Sequence, residues 1–184
     1  KKAIQQIRKW IDMGMNPVNI SVNQSKIVFY HENYISEIKS LLEEYNVSGS
    51  YITLEVLEST VIEDIDMFNS ILTEVKKLGF SVSLDDFGSG YSSLNVLSKL
   101  QIDELKIDRI FLHTKSEVDN QRTKWILESI IDIAKKSQIL VVVEGVESKQ
   151  DDLFIKNLGA DIGQGYFYGR PLSISAFNDL IETK

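Results

Sequence analysis

Apolar residues along this chain follow two alternating rhythms. Short β-branched, apolar-rich runs recur at VNISVN (18–23), YITLEVL (51–57), FSVSL (80–84), ELKI (104–107), ILVVVEG (139–145) and DIGQGYF (161–167), each the length of a strand. Between them the spacing turns helical. Tyr34, Ile38, Leu41 and Tyr45 form one stripe, Val61, Ile65, Phe68, Leu72 and Val75 a second, and Leu127, Ile130, Ile131 and Ala134 a third. Another stripe, Ile4, Ile7, Trp10 and Ile11, opens the chain within KKAIQQIRKWIDM, where interspersed charges mark an amphipathic helix rather than the apolar core of a signal peptide. The predicted order is a helix followed by six strand–helix units.

Strands alternating with helices imply right-handed crossovers and a parallel sheet covered by helices. A run such as LVVV, apolar at every position, fits a strand buried on both faces. Two architectures satisfy this pattern, an open doubly wound sheet and a TIM-like (β/α)8 barrel. Polar residues near the strand ends favour the second. Asn23 closes the first strand, Glu55 lies late in the second, Asp85 and Asp86 end the third, Lys106 lies late in the fourth, Glu144 ends the fifth and Gln164 lies in the sixth. In a barrel these ends ring one mouth, where several strands contribute to one active site. An open sheet would spread them along a line. A complete barrel needs eight units, so the expectation is an incomplete barrel whose two N-terminal units lie upstream of Lys1.

Composition narrows the chemistry. The 184 residues are enough for one domain, and 43% hydrophobic and 26% charged residues with two prolines describe ordinary globular usage. A net charge of −7 and a pI near 4.9 argue against a nucleic-acid polymer as partner, because neutralising its phosphates requires lysine and arginine. The absence of cysteine excludes disulfides and thiolate metal sites and is compatible with a reducing cytosol. The longest aliphatic run, Ile139 to Val143, is far short of the roughly 20 residues of a spanning helix. A cytoplasmic domain is therefore expected, with any membrane anchor supplied by other domains of a parent protein.

Asn23, Glu55, Asp85, Asp86 and Glu144 would bring oxygen donors alone to the mouth, a set that suits Mg2+ or Mn2+ and disfavours zinc. A cation also accounts for the adjacent Asp85 and Asp86, which otherwise repel. Two ions about 3.5–4 Å apart sharing Asp85 would serve phosphoryl transfer, with Lys106 orienting water or stabilising phosphate charge. Any one acid at a strand end is as often a helix cap; equivalent placement on six strands is harder to explain that way. Glu58 and Glu147, just past their strands, read equally well as caps. His31 and His113 read as solvated loop residues. FGSGYSSL and GQGYFYG lack the spacing of nucleotide-binding loops. Tyr91, Tyr166, Phe167 and Tyr168 have the chemistry to stack on a base, though an aromatic cluster after a strand is as often packing.

The series VNQS, ITLEVLES, SLDDFGSGYSSL, IDELKID, VVVEGVE and LGADIGQGYFYGRPL, in this order, resembles the EAL domains, cyclic-di-GMP-specific phosphodiesterases with a modified TIM barrel. The resemblance covers essentially the whole chain. It implies that Asn23, Glu55 and Asp85 are metal ligands, and that Asp86 and Glu144 complete a second metal site and position water. Lys106 would be the active-site lysine, Gln164 and Tyr166 substrate contacts, and Glu58 the anchor of a mobile loop at Gly88–Ser93. The implied reaction is hydrolysis of cyclic di-GMP to linear pGpG with two Mg2+ or Mn2+ ions. The resemblance is also compatible with a homodimer and with a regulatory or GGDEF-type domain in the parent. Two departures stand out. The Glu-Ala-Leu signature, whose glutamate is a metal ligand, is absent from the chain, and Leu57 stands where the family usually has threonine. Weak or absent turnover is therefore expected of the isolated 184 residues. Two alternatives remain open at this point, a non-catalytic cyclic-di-GMP receptor and a retaining glycosidase built on Glu55 and Glu144 at about 5–5.5 Å.

Overall fold

The computed structural model describes residues 1–61, 64–88, 97–112 and 117–182. Six strands form one sheet: β1 (Ile20–Gln24), β2 (Ile52–Leu57), β3 (Ser81–Phe87), β4 (Glu104–Ile107), β5 (Leu140–Val143) and β6 (Ile162–Gly163). Every neighbouring pair is parallel, and the order across the sheet is the order in sequence. That order decides between the two architectures. A doubly wound sheet must reverse direction at a switch point; this one never does, so its crossovers wind in a single sense, as in a barrel.

The helices are α1 (Lys2–Asp12), α2 (Lys26–Phe29), α3 (Tyr34–Tyr45), α4 (Glu58–Val61), α5 (Ile65–Lys77), α6 (Glu117–Lys136), α7 (Lys149–Leu158) and α8 (Ile174–Glu182). The expected stripes face the core. Ile4, Ile7 and Trp10 of α1, Phe68, Leu72 and Val75 of α5, and Leu127, Ile130, Ile131 and Ala134 of α6 are buried. On α3 the fully buried pair is Tyr34 and Leu42, with Ile38, Leu41 and Tyr45 half-covered against the core. Caps fix several starts, among them Asp64 Oδ1 accepting the Met67 N–H and Ser148 forming a reciprocal capping box with Asp151. Among the described residues no helix is long and apolar enough to cross a membrane.

Register separates the two faces of the sheet. Val56, Leu84, Leu105 and Val141 stand in one row, all at 0% exposure beneath the helices. Asn23, Glu55, Ser83 and Glu104 occupy the next row, on the opposite face. The inner face is thus polar from β1 to β4, and a row of uncharged apolar packing lies directly behind it.

Strand limits differ most from expectation at β3 and β6, and β5 ends at Val143, just before Glu144. β3 runs on through Asp85 and Asp86 to Phe87, whereas β6 is only Ile162–Gly163, and residues 164–167 beyond it are loop. The loop backbone instead pairs with the turn after β5, where Val146 N–H donates to Gln164 O at 3.0 Å and Phe167 N–H donates to Val146 O at 3.0 Å. His31 is exposed, as expected. The Val61 side chain, residues 89–93 of the expected loop with Tyr91, and His113 lie outside what is described.

Candidate active site

The site is built on an irregularity in β3. Leu84 pairs with Leu105 and Phe87 with Ile107, so Asp85 and Asp86 together oppose the single residue Lys106. This is a β-bulge, and Asp86 takes φ +58° to make it. In a regular strand adjacent side chains point to opposite faces. The extra residue lets both carboxylates serve one mouth, which resolves why two like charges follow each other in sequence. Asp86 N–H donates to Asp85 Oδ1 at 3.0 Å, holding the turn.

Lys106 is the hub. Its buried ammonium bonds Glu55 Oε1 at 2.9 Å, Asp85 Oδ1 at 3.0 Å and Glu144 Oε1 at 2.7 Å, drawing in β2, β3 and the end of β5. Burial works against that charge, but the hydrogen bonds it donates to Glu144, Glu55 and Asp85 outweigh it and hold the lysine above its ordinary value. The acids beside it are shifted as well. Burial raises Glu144, with Asp85 and Asp86 adding to the effect against the pull of Lys106. Burial also raises Asp86, reinforced by Asp85 and Asp108.

Ligand oxygens of Asp85, Asp86 and Glu144 lie within 4.8 Å of one another. An all-carboxylate cluster of this size fits a hard divalent cation. Glu55 and Asn23 are placed differently from that triad. Glu55 joins the site through Lys106, and the exposed Asn23 stands beside Glu55 in register on β1. The buried Glu58, first residue of α4, accepts the Gly88 N–H at 3.4 Å and so ties the start of the loop after β3 to β2. Glu147 does not cap α7; Ser148 does.

A cavity of about 380 Å³ opens from Asp86 and Glu144 towards Gln164 and Tyr166, with Asp108, Arg109 and Glu147 along its wall. Sequence reasoning passed over Glu104, Asp108 and Arg109. Glu104 had a usable signal, since two positions before Lys106 on a strand means the same face. Gln164 and Tyr166 reach the mouth because Gly165 has no side chain: a Cβ there would lie 2.2 Å from Val146 O and 2.5 Å from Val146 N. Tyr168 steadies the far end of the same loop by donating to the buried Asp152 at 2.6 Å. Replacing Gly165→Ala should therefore force two backbone segments apart and cost about 2–3 kcal/mol, measured by urea denaturation.

Fold and site together define a parallel α/β protein of barrel type with a carboxylate and lysine centre for a divalent cation. Comparison with known proteins makes the class specific, because the EAL domain family model matches residues 1–171, and the chain belongs to that family. It is 35% identical over 171 residues to the bifunctional diguanylate cyclase/cyclic di-GMP phosphodiesterase MucR of Pseudomonas aeruginosa, covering 93% of this chain and 25% of MucR. It is 32% identical over 176 residues to the cyclic di-GMP phosphodiesterase PdeR of Escherichia coli, covering 95% and 26% respectively. The solved PaMucR phosphodiesterase in complex with c-di-GMP superposes with a TM-score of 0.85 at 34% identity, over 96% of this chain and 70% of that one. The chain thus spans about a quarter of the length of these curated relatives. Family membership, with Lys106 bonded to both Glu55 and Glu144, removes the reason for the glycosidase alternative.

Proposed function

We propose that the protein hydrolyses one phosphodiester bond of cyclic di-GMP to give linear pGpG, using two divalent cations, Mg2+ or Mn2+. The observation that carries this reading is the bulge that sets Asp85 and Asp86 opposite Lys106 and close to Glu144, in a family whose relatives include named cyclic di-GMP phosphodiesterases. Asp85, Asp86 and Glu144 would hold a cation, with Glu55 and Asn23 extending the ligand set along the same face. A bound divalent cation supplies charge neutralisation at the phosphate and a more acidic water. Lys106 keeps the carboxylates convergent and offers positive charge to the phosphate. Glu144, raised by its burial, is suited to take a proton from the attacking water. Gln164 and Tyr166 would contact the dinucleotide, and Glu58 would anchor the loop that begins at Gly88.

We place this activity in the cytoplasm, with a regulatory or GGDEF-type domain and a second EAL copy as candidate partners. On this reading the 184 residues belong to a single EAL-type domain. The test is incubation of the protein, with whatever sequence flanks these residues, with cyclic di-GMP and Mg2+. The expected product is pGpG, separable by chromatography and abolished by EDTA. A folded protein that binds the dinucleotide without yielding pGpG is a receptor and overturns the enzymatic reading.

A further inference from the structure

The cavity beside the triad carries an imbalance. Asp86, Asp108, Glu144 and Glu147 line it, and among the described residues Arg109 is the one cation in its lining. Away from the cation proposed at the carboxylate cluster, an anionic dinucleotide entering such a space meets the acids Asp108 and Glu147 and is repelled unless that arginine faces it. Two features fix Arg109 there. It opens a short 3-10 turn, Arg109–Phe111, whose start is held by Asp108 Oδ1 accepting the Ile110 N–H at 2.7 Å. Its stem lies on the bare backbone of Gly145: a Cβ at that position would be 2.2 Å from Arg109 Cβ and 3.3 Å from its Cδ, and Gly145 sits at φ +72°. No ion pair or side-chain hydrogen bond engages the guanidinium among the described residues, although carboxylates line the same cavity. The side chain is exposed, and its backbone and stem are fixed.

We infer that Arg109 is a substrate-binding residue that takes the non-bridging oxygens of the phosphodiester not undergoing cleavage, an inference that rests on the cyclic di-GMP reading above. Cyclic di-GMP carries two phosphodiesters. One must lie at the Asp85, Asp86 and Glu144 cluster to react, and the cavity that continues from Asp86 and Glu144 past Arg109 leaves the other beside the guanidinium. Arginine suits this role because its planar fork binds phosphate through two N–H groups at once and keeps its charge at any working pH. Gly145 is the device that permits it. The residue after Glu144 must lack a Cβ for the arginine stem to cross it, which ties substrate recognition on the turn after β4 to the catalytic strand end of β5.

Steady-state kinetics and direct binding of cyclic di-GMP to the wild type, Arg109→Ala and Arg109→Lys test this. Arg109→Ala should raise KM and Kd about tenfold or more, with kcat within about threefold of wild type, and Arg109→Lys, which keeps the charge but loses the fork, should recover part of the affinity. An unchanged melting temperature for both variants is expected for an exposed side chain. Equal affinity of wild type and Arg109→Ala overturns the inference and leaves the proposed function standing. An Arg109→Lys variant as weak as Arg109→Ala also overturns it, pointing to a guanine edge that needs the bidentate fork. A wild type that neither binds nor cleaves cyclic di-GMP overturns both.

Discussion

Replacing Lys106→Met is expected to destabilise the protein by about 3–5 kcal/mol in chelator, because it leaves Glu55, Asp85 and Glu144 converging without their shared cation. Methionine fills the volume and keeps the apolar stem, so the loss measures charge and not a cavity. The lysine is raised above its ordinary value, so its contribution is fully present below the usual lysine range and is lost only as pH climbs through the raised value. Measurement at pH 7 therefore reads the whole effect. Adding Mn2+ should restore more stability to the variant than it adds to wild type, since the same carboxylates then have no competing ammonium. Turnover should still fall by about 10²–10³-fold with cation present, because the positive charge aimed at the phosphate is gone. A variant as stable as wild type in EDTA would show that the carboxylates are already solvated or protonated, and that the lysine does not organise the site.

Much of this arrangement was legible from sequence, and the reason is topological. A parallel barrel brings strand ends together regardless of their separation in the chain, so polar residues at Glu55, Asp85, Lys106, Glu144 and Gln164 read as one site from sequence alone. What sequence did not disclose depends on partners. The bulge at Asp85 and Asp86 exists only relative to β4, since a register shift has no signature within one strand, and a period-two reading would have sent the two carboxylates to opposite faces. The short β6 is similar. GQGYF has strand-like composition, but after Gly163 the chain leaves the sheet, with Gly165 pressed against the Val146 backbone and the loop paired with the turn after β5. Arg109 was missed because its meaning lies in contact with Gly145, 36 positions on by their numbering. The ligand roles expected from resemblance divide in the same way: Asp85, Asp86 and Glu144 form the compact triad, and Glu55 meets them through Lys106.

That division makes Asp85→Asn the sharpest test of the centre. Asp85 Oδ1 accepts from both Lys106 Nζ and the Asp86 N–H, each at 3.0 Å, and asparagine keeps an oxygen of the same reach, so the bulge should survive. The charge does not survive. Asp85 helps to raise both Glu144 and Asp86, after burial in each case. A carboxylate raised in the folded state adds stability below its ordinary range and loses it as pH rises through the raised value. Cation-free wild type should therefore lose stability as pH rises through and above the ordinary carboxylate range, and a divalent cation should recover it, so the cation-induced rise in melting temperature grows from pH 5 to pH 7. In Asp85→Asn the remaining acids fall back towards their ordinary values and the cluster has one charge fewer. The cation-free pH slope should flatten, the cation-induced rise should largely vanish, and turnover should drop by about 10³-fold or more. If the variant kept a wild-type response to Mn2+, the cation would be held without the Asp85 charge, by Asp86 and Glu144 or by Glu55 and Asn23, and the role of Asp85 would be to hold Lys106.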